Sequence, residues 1–406
     1  MTTTLIQDVR PWGGAPSDVT LQDGLIAAVS PAGGGTAAPG ATIVAGAGRL
    51  LLPSFTDTHV HLDSTRIGLP FRPHGAQPGG LWNLIDNDRQ NWRQAEQSVA
   101  ERATLTLGGA IEHGMTRARA FAQVDADCGL ERLEGVVAAR EAHRDHADVQ
   151  IVAFPQAGIL LEPGVPDLLD AALRNGADAI GGLDPCGLDR DPVRHLDVVF
   201  GLAEKHGVPI DIHLHEGGTL GAFTIDLVLE RVAALDMRGQ VTLSHAFALA
   251  DLDAQAADAM AAALAEHDIA VATIAPGGNR VLPIPALAAH GVRIGLGQDG
   301  QRDYWSPYGN TDMLDRTWQL AFTRNLRHDE LIEHCVAIAT VGGASLVDPS
   351  ATRLGGVADR PGLAVGDPAE LVLVPGETVT SAVMDRPAGR TTIHAGRVVA
   401  HDGALV

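Results

Sequence analysis

Two histidines, His59 and His61, stand two residues apart at the end of an apolar segment that begins at Leu50. Such a segment predicts a buried strand, and side chains two apart on a strand share one face. Paired imidazoles can bind catalytic zinc or ferrous iron. A single histidine at a strand end is, in contrast, more often a hydrogen-bonded core residue. The rest of the chain must decide between these interpretations.

Three further apolar segments end in side chains of the same chemical kind. They end in His213-Leu214-His215-Glu216, in Ser244-His245 and in Gln298-Asp299. Imidazoles and a carboxylate at four strand ends are hard to explain as unrelated core residues. Together they predict a metal site.

Eight apolar segments alternate with helical patterns through the middle of the chain. The predicted strands are Leu50–His61, Arg117–Val124, Val149–Gln156, Ala179–Leu183, Pro209–His215, Gln240–Ala246, Ile269–Ile274 and Val292–Asp299, and the clearest predicted helices are Gln94–His113, Val193–His206, Leu252–His267 and Thr311–Leu326. This order is typical of a parallel (β/α)8 barrel of the TIM type, in the α/β class. Because the carboxyl ends of all its strands lie at one end of the barrel, the histidines and the aspartate at the four strand ends would lie close together there.

Both ends of the chain have a different pattern, with short strands separated by turns. Neither end contains enough strands for a sheet of its own, so we expect the two to pair into one small β-sandwich. The predicted domains are therefore a sandwich from residues 1–50 and 350–406 and a barrel from residues 51–349.

The composition excludes several classes of partner. The formal charge is −21 over 406 residues, which argues against nucleic acid and anionic membranes because both need a positive surface. No basic region followed by an apolar stretch opens the chain, and three distant cysteines form no zinc or disulfide pattern. We expect a cytoplasmic protein with a small-molecule substrate; association of several copies is left open.

The pattern resembles the amidohydrolase superfamily. In that family the barrel carries His-x-His on the first strand, His on the fifth and sixth and Asp on the eighth, beside a small sandwich from both chain ends. The segment GLAVGDPAELVLV, residues 362–374, is similar to the family's return strand into that sandwich. The resemblance implies a metal-dependent hydrolase whose metal is held by His59, His61, His213 and Asp299.

Four segments are similar to the cytosine deaminase branch of this superfamily: IVAFPQAGIL, DIHLHE, TLSHA and DYWSPYGNTDML. The resemblance implies that Gln156 hydrogen-bonds the substrate, Glu216 transfers protons and His245 orients the attacking hydroxide. Trp305 would lie beside the substrate pocket, and Leu81, which follows a long Pro- and Gly-rich loop, is a further candidate for substrate contact. Asp299 would also accept the proton of the attacking water.

The number of metal ions follows from the only lysine. Many two-metal members of the superfamily bridge their metals with a modified lysine at a strand end, whereas Lys205 lies inside a predicted helix. Asp184 and Cys186 follow the fourth strand too late for a bridging role. We therefore expect one divalent ion, Zn²⁺ or Fe²⁺.

Three positions depart from the pattern of the branch. Gly300 stands where a second aspartate usually follows the metal-binding one. We therefore expect a pocket of different shape, with room for a larger substrate. His215 replaces an aspartate and, being two residues from His213, can contact metal or substrate or make a supporting hydrogen bond. Gln123 stands where the branch has histidine.

Three functions follow from this pattern. The first is hydrolytic deamination of an amino-substituted nitrogen heterocycle, such as cytosine, isocytosine, isoguanine, a pterin, creatinine or an aminotriazine. The second is hydrolysis of a cyclic or acyl amide by the same metal site. The third is a metal-binding protein without catalysis, which the presence of Glu216 and His245 in addition to the ligands argues against.

Overall fold

The computed structural model describes residues 3–75, 79–278 and 280–406. Its strands are β1 (Thr3–Pro11), β2 (Ser17–Gln22), β3 (Leu25–Pro31), β4 (Thr42–Ala45), β5 (Leu50–Pro53), β6 (Phe55–His61), β7 (Met115–Gln123), β8 (Asp148–Phe154), β9 (Ala179–Leu183), β10 (Ile210–His213), β11 (Val241–Ser244), β12 (Ala270–Thr273), β13 (Ile294–Leu296), β14 (Asp299–Gly300), β15 (Leu371–Val374), β16 (Thr391–His394), β17 (Arg397–His401) and β18 (Ala404–Leu405).

The helices lie mainly between the strands of the middle region. They are α1 (Leu81–Asn91), α2 (Val99–Glu112), α3 (Glu131–Ala142), α4 (Val165–Arg174), α5 (Pro192–His206), α6 (Gly218–Ala234), α7 (Ala248–Asp251), α8 (Ala254–Glu266), α9 (Ile284–Ala289), α10 (Met313–Thr323), α11 (Asp329–Ala337), α12 (Gly343–Val347) and α13 (Val379–Asp385). A π-helical turn, Ile338–Gly342, joins α11 to α12.

Strands β6 to β13 follow one another as parallel neighbours, and β14 pairs with β6. Because β13 and β14 are two parts of one eighth strand, the sheet closes on itself as a barrel. The predicted (β/α)8 barrel is therefore confirmed. Its apolar core lies inside the sheet and between the sheet and the surrounding helices.

The break in the eighth strand brings Asp299 against the first strand. A Cβ atom on Gly297 would lie 2.4 Å from the Cβ of His59, so glycine is needed for this close approach. The carboxylate of Asp57 accepts hydrogen bonds from the backbone N–H groups of His59 and Gln298. This pairing places Asp299 beside Val60, next to both histidines of the first strand.

A second sheet contains strands from both chain ends, as predicted. Its order is β18-β17-β16-β15-β5-β1-β2-β3, with β4 beside β1. One apolar cluster joins N-terminal residues such as Ile6 and Leu21 to C-terminal residues such as Leu371 and Ile393. Burial of these side chains against one another holds the two chain ends together.

The segment predicted as a single first strand, Leu50–His61, is two strands. The N–H of Ser54 donates to the carbonyl of Glu370 next to β15, whereas the N–H of Phe55 donates to the carbonyl of Gly114 before β7. Neighbouring residues thus pair with different sheets. A continuous apolar run contains no signal for such a change of partner, and β5 extends the second sheet to Pro53.

One apolar helix, Asp329–Val347, is long enough to cross a membrane by length and composition alone. In this protein 78% of its apolar window is buried. The helix packs on α10, on β13 and on β6. It is therefore a core helix that closes one side of the barrel.

Candidate active site

The carboxyl ends of β6, β10 and β14 bring three imidazoles and one carboxylate together. His61 Nε2 lies 3.4 Å from Asp299 Oδ1, and His59 Nε2 lies 3.6 Å from the same oxygen. His213 Nε2 lies 3.3 Å from His61 Nε2. These are separations expected between ligand atoms that share one metal ion, because each metal–ligand bond is about 2 Å long. His59, His61 and Asp299 thus form one cluster of donor atoms, and His213 lies beside it next to His61.

His245, which follows β11, lies beside this group. One of its ring nitrogens lies within 4.8 Å of one ring nitrogen each of His59 and His213. The structure therefore offers two overlapping sets of donor atoms, one with Asp299 and His61 and one with His245. The first set contains the carboxylate that a divalent cation favours.

The donor set fits a metal because one of its nitrogen atoms, His59 Nε2, is buried without another partner. His213 Nδ1 and both ring nitrogens of the neighbouring His245 also make no hydrogen bond. A buried polar atom without a partner is costly, and a bound ion would satisfy those that face the centre. Burial lowers the pKa of His61 to about 4 and holds the pKa of His213 well below its ordinary value. Neutral imidazoles of this kind present a free electron pair to a metal.

A hydrogen-bond chain beneath the site selects the tautomer of His59. Its Nδ1 lies 2.9 Å from Ser244 Oγ, and that hydroxyl donates to Asp211 Oδ1 at 2.6 Å. Asp211 in turn accepts from Arg119 Nη1 at 2.7 Å. Since the serine proton is engaged by Asp211, Nδ1 of His59 is the donor to Ser244. Its Nε2 is left as the acceptor that faces the metal position.

Asp299 is the acidic member of the cluster. Burial alone would raise its pKa, but the adjacent imidazoles of His59, His245 and His61 hold the pKa of Asp299 well below its ordinary value. The carboxylate is thus ionised at neutral pH. An ionised carboxylate can bind a cation and can also take a proton from a water molecule at the same place.

Two phenylalanines that the sequence did not identify pack around the imidazoles. The ring of Phe154 stacks on His213 at a centroid distance of 4.1 Å, and the ring of Phe121 lies 4.3 Å from that of His59. Both come from barrel strands, β8 and β7. They fix the ring planes of the ligands and keep water from their sides. Phe154 was present in the Phe-Pro-Gln segment that led to Gln156.

A cavity opens above His61, His213 and Asp299, and the space within its lining, including the opening to solvent, is about 480 Å³. Three of the predicted substrate-contact residues line it, namely Gln156, His215 and Trp305. Its apolar lining is completed by Phe154 and Leu183.

Asp184 holds both the backbone and the ring of His215. Its carboxylate accepts from the backbone N–H of His215 at 2.7 Å and lies 2.9 Å from the ring Nδ1. The other ring nitrogen therefore remains for the cavity. The ring also packs on His245 at a centroid distance of 4.3 Å. Asp184 thus has a positioning role that its late place after the fourth strand did not reveal.

Glu216 is buried but is not among the residues that line the cavity. Its Oε1 accepts hydrogen bonds from the backbone N–H groups of Cys186 and Gly187, and its Oε2 accepts from Thr224 Oγ1 at 2.5 Å. Burial raises the pKa of Glu216 despite these hydrogen bonds. In this rotamer the carboxyl faces the loop after β9, so contact with a substrate requires it to turn toward the cavity.

A residue from α1 orients Gln156. The side-chain amide donates through Nε2 to Asp88 Oδ2 at 3.3 Å, and Asp88 is paired with the buried guanidinium of Arg132. With the amide nitrogen engaged by Asp88, the carbonyl oxygen of Gln156 is the atom left for a ligand. Asp88 is far from Gln156 in sequence, so no local pattern indicates this contact.

Leu81, Gln123 and Lys205 lie outside the cavity lining. Leu81 packs on the apolar cluster that contains Phe154 and Trp305. Gln123 donates to Asp125 Oδ2 at 2.6 Å, inside β7 and its following loop. Lys205 is on the surface of α5, where its Nζ lies 2.7 Å from Asp170 Oδ1. That position agrees with a site without a bridging lysine.

The expected gain of room at Gly300 is not realised. The carboxylate of Asp303 occupies the space beside this glycine, and Asp303 and Ser64 both line the cavity. Neither residue was predicted from the sequence as a site residue, although Asp303 stands two positions before Trp305. The prediction of a larger pocket at this point was therefore wrong, because a neighbouring side chain fills the place.

Residues 81–400 match the profile of the amidohydrolase family. The chain is 39% identical to N-isopropylammelide isopropylaminohydrolase from Burkholderia multivorans ATCC 17616, with a TM-score of 0.91 and coverage of 100% of both chains. It is 26% identical to 5-methylcytosine deaminase from Klebsiella pneumoniae, solved with 5-fluorocytosine, with a TM-score of 0.82 and coverage of 98% and 97%.

A third relative is the uncharacterized protein YahJ of Escherichia coli strain K12. The two are 34% identical over 271 residues, which is 66% of this chain. The match spans 59% of the length of YahJ.

Proposed function

This chain belongs to the amidohydrolase family, and from that premise we propose that it removes an amino or alkylamino group from a nitrogen heterocycle by hydrolysis. The class of enzyme is a metal-dependent hydrolase of C–N bonds other than peptide bonds. The products would be ammonia or an amine and the corresponding oxo heterocycle. A small heterocyclic molecule is thus the proposed partner.

The observation that carries this proposal is the cluster of His59, His61 and Asp299, with His213 beside it, next to a cavity. Nε2 of His59 and of His61 lies within 3.6 Å of Asp299 Oδ1, and the pKa of Asp299 is held well below its ordinary value. A divalent metal bound there supplies an activated water at neutral pH. We propose one such ion, Zn²⁺ or Fe²⁺.

The remaining roles belong to side chains of the chain itself. Asp299 accepts the proton released by the attacking water, and His245 donates a hydrogen bond to the oxygen as the carbon becomes tetrahedral. Glu216, whose pKa burial raises, delivers a proton to the ring nitrogen and the departing amine after turning toward the cavity. The carbonyl of Gln156 accepts from the heterocycle.

The substrate we propose first is an N-substituted amino-oxo-triazine. Support comes from the similarity to an enzyme named for N-isopropylammelide, which covers both chains completely. The cavity offers matching surfaces, since Phe154, Leu183 and Trp305 give it apolar sides for an alkyl group. Cytosine-like bases are the next candidates because of the likeness to 5-methylcytosine deaminase.

The decisive experiment combines metal analysis with product analysis on one purified sample. Metal-loaded protein is incubated with isopropylammelide, cytosine, 5-methylcytosine, isoguanine, a pterin and a hydantoin. Release of isopropylamine or ammonia with an oxo product is expected, and chelated protein serves as the control. Ring opening of the hydantoin without amine release would instead show the amide-hydrolase alternative, and full metal occupancy without any turnover would show the non-catalytic one.

Two further proposals concern the cell and the assembly. The cysteines Cys128, Cys186 and Cys335 are all free thiols, which supports a cytoplasmic location. The acidic charge of −21 supports the absence of nucleic acid and of anionic membranes as partners. A homo-oligomer stays a prediction that light scattering of the purified protein can test.

A further inference from the structure

Gly300 has no side chain, and the carboxylate of Asp303, from the same loop, occupies the space where a side chain at position 300 would lie. A Cβ atom on Gly300 would lie 2.1 Å from Asp303 Oδ2 and 2.8 Å from its Cγ. Gly300 does not have a left-handed backbone conformation, so glycine is not required there for its backbone. It is required for the room that the Asp303 side chain occupies.

The loop holds the Asp303 carboxylate in a fixed orientation. Its Oδ1 accepts from the backbone N–H groups of Trp305 and Ser306 at 2.8 and 2.9 Å. Its Oδ2 accepts from Ser64 Oγ at 3.1 Å. A carboxylate oxygen can accept more than one hydrogen bond, so Oδ2 retains acceptor capacity on the side of Gly300.

The position of this carboxylate suits contact with a ligand. Asp303 is only 8% exposed, yet it lines the cavity above Asp299. Burial, together with the nearby carboxylate of Asp299, raises the pKa of Asp303 to about 7. A buried acceptor with an unused lone pair gains from a hydrogen-bond donor that enters the cavity.

We propose that Asp303 is a specificity-determining residue that accepts a hydrogen bond from a ring N–H of the heterocycle, and that Gly300 is present to admit its carboxylate. The inference rests on the proposed function, since it concerns the same cavity. It narrows the substrate class to heterocycles in the lactam form, with an N–H beside a ring carbonyl. Gln156 lines the same cavity, and its carbonyl oxygen, which makes no hydrogen bond to Asp88, can serve a second N–H.

The test uses metal-loaded full-length protein in three forms: wild type, Asp303→Asn and Gly300→Ala. Asparagine keeps the size of residue 303 and an oxygen for the backbone N–H groups. Alanine at 300 leaves Asp303 in the chain but forces its carboxylate from the observed place. Matched controls are Asp197→Asn and Gly201→Ala, both on exposed positions of α5.

Each form is measured with isopropylammelide and with its derivative methylated at the ring nitrogens. Both kcat and KM are determined, and Kd is measured by calorimetry as a readout that does not need turnover. Both variants are expected to raise KM and Kd of the parent compound about 10- to 100-fold, the effect of losing a hydrogen bond to a charged group. The value of kcat should change much less, and discrimination against the methylated compound should disappear.

Unchanged Kd and KM in Asp303→Asn would overturn this inference while leaving the proposed function in place. In a second possible outcome, the wild type binds the compound, Asp303→Asn does not, and no form releases amine. This outcome would support Asp303 as the ligand contact and overturn the proposed function. Absence of binding to the wild type by any lactam heterocycle would overturn both. If Gly300→Ala does not fold, Asp303→Asn decides alone.

Discussion

Two regions of the cavity are built on different principles. The floor consists of His61, His213 and Asp299, with the fully buried His59 directly behind them, and the wall consists of Gln156, His215, Asp303 and Trp305. Floor residues stand at or inside the ends of β6, β10 and β14, whereas wall residues follow strand ends on loops. The barrel therefore determines the geometry of the floor, and the loops determine that of the wall.

The supports of the two regions differ in the same way. The floor rests on Ser244, Asp211 and Arg119, which all belong to barrel strands. The wall rests on carboxylates from loops and from α1, such as Asp184 beside His215 and Asp88 beside Gln156. We infer that the barrel strands fix the residues that carry out the reaction, whereas the loops determine which substrate binds. The loops can change in sequence without disturbing the residues on the strands.

The largest effect is expected from the floor. His213→Ala removes a proposed metal ligand, whose Nε2 lies 3.3 Å from His61 Nε2. Metal occupancy should therefore fall to a small fraction of one ion per chain, and amine release should fall below detection. Metal analysis by mass spectrometry and an amine assay check this. The exposed His328→Ala serves as control and should keep both. A fully metallated, active His213→Ala protein would break the distinction between floor and wall.

The next largest effect belongs to Glu216, which is in neither region. Glu216→Gln should reduce kcat about 10²- to 10⁴-fold, the usual contribution of a general acid. Metal occupancy should stay unchanged because the residue contacts no predicted ligand. The control is Glu204→Gln on the exposed face of α5. A normal kcat in Glu216→Gln would show that the wild-type carboxyl keeps its hydrogen bonds to the loop after β9. Another group would then supply the proton.

A smaller effect is expected beneath the floor. Ser244→Ala removes the acceptor of the His59 Nδ1 proton, so the ring can turn and its Nε2 is no longer aimed at the metal. Metal affinity should decrease about 10- to 100-fold, as is usual for such supporting hydrogen bonds. Competition with a chelator measures the affinity, and Ser350→Ala on the surface is the control. Unaltered affinity would argue that packing against Phe121 alone orients the ring.

A wall substitution should change substrate binding without changing the metal. Gln156→Leu removes one hydrogen bond of about 1 kcal/mol, so KM should rise roughly five- to tenfold while metal occupancy is kept. Steady-state kinetics and metal analysis of the same samples test this, with the exposed Gln94→Leu as control. Loss of metal in Gln156→Leu would show that wall and floor are not separate.

The smallest effect concerns the pH profile. Burial raises the pKa of Glu216, while the hydrogen bond from Thr224 lowers it. Thr224→Val removes that hydrogen bond, so the pKa should rise further and the protonated acid should persist to higher pH. The alkaline limb of kcat should therefore move to higher pH than in the wild type. A shift to lower pH would contradict the assignment of Glu216 as the proton donor.

Much of the floor could be predicted from residue types and spacing. His59 and His61 share a strand face because side chains alternate along a strand, and the order of eight parallel strands places their carboxyl ends at one mouth. The fold and the family predicted on this basis are confirmed by the closed barrel and by the family match. Roles assigned to individual site residues remain predictions that the experiments above test.

Other features depended on contacts between residues far apart in sequence. The change of sheet at Ser54 follows from its pairing with the carbonyl of Glu370, and no property of the local sequence indicates it. The hydrogen bonds that turn Glu216 away from the cavity come from Cys186, Gly187 and Thr224. These contacts require the helices and loops to be assembled first.

The sequence by itself thus predicted the barrel, its second sheet and the strand ends that carry histidines and an aspartate to its mouth, because regular strands repeat with a known period and direction. Only the tertiary structure decided that the space at Gly300 belongs to Asp303 and that Asp88 orients Gln156. Loops have no such period. Where their side chains lie depends on which distant groups satisfy their hydrogen bonds, and that is known only once the chain has folded.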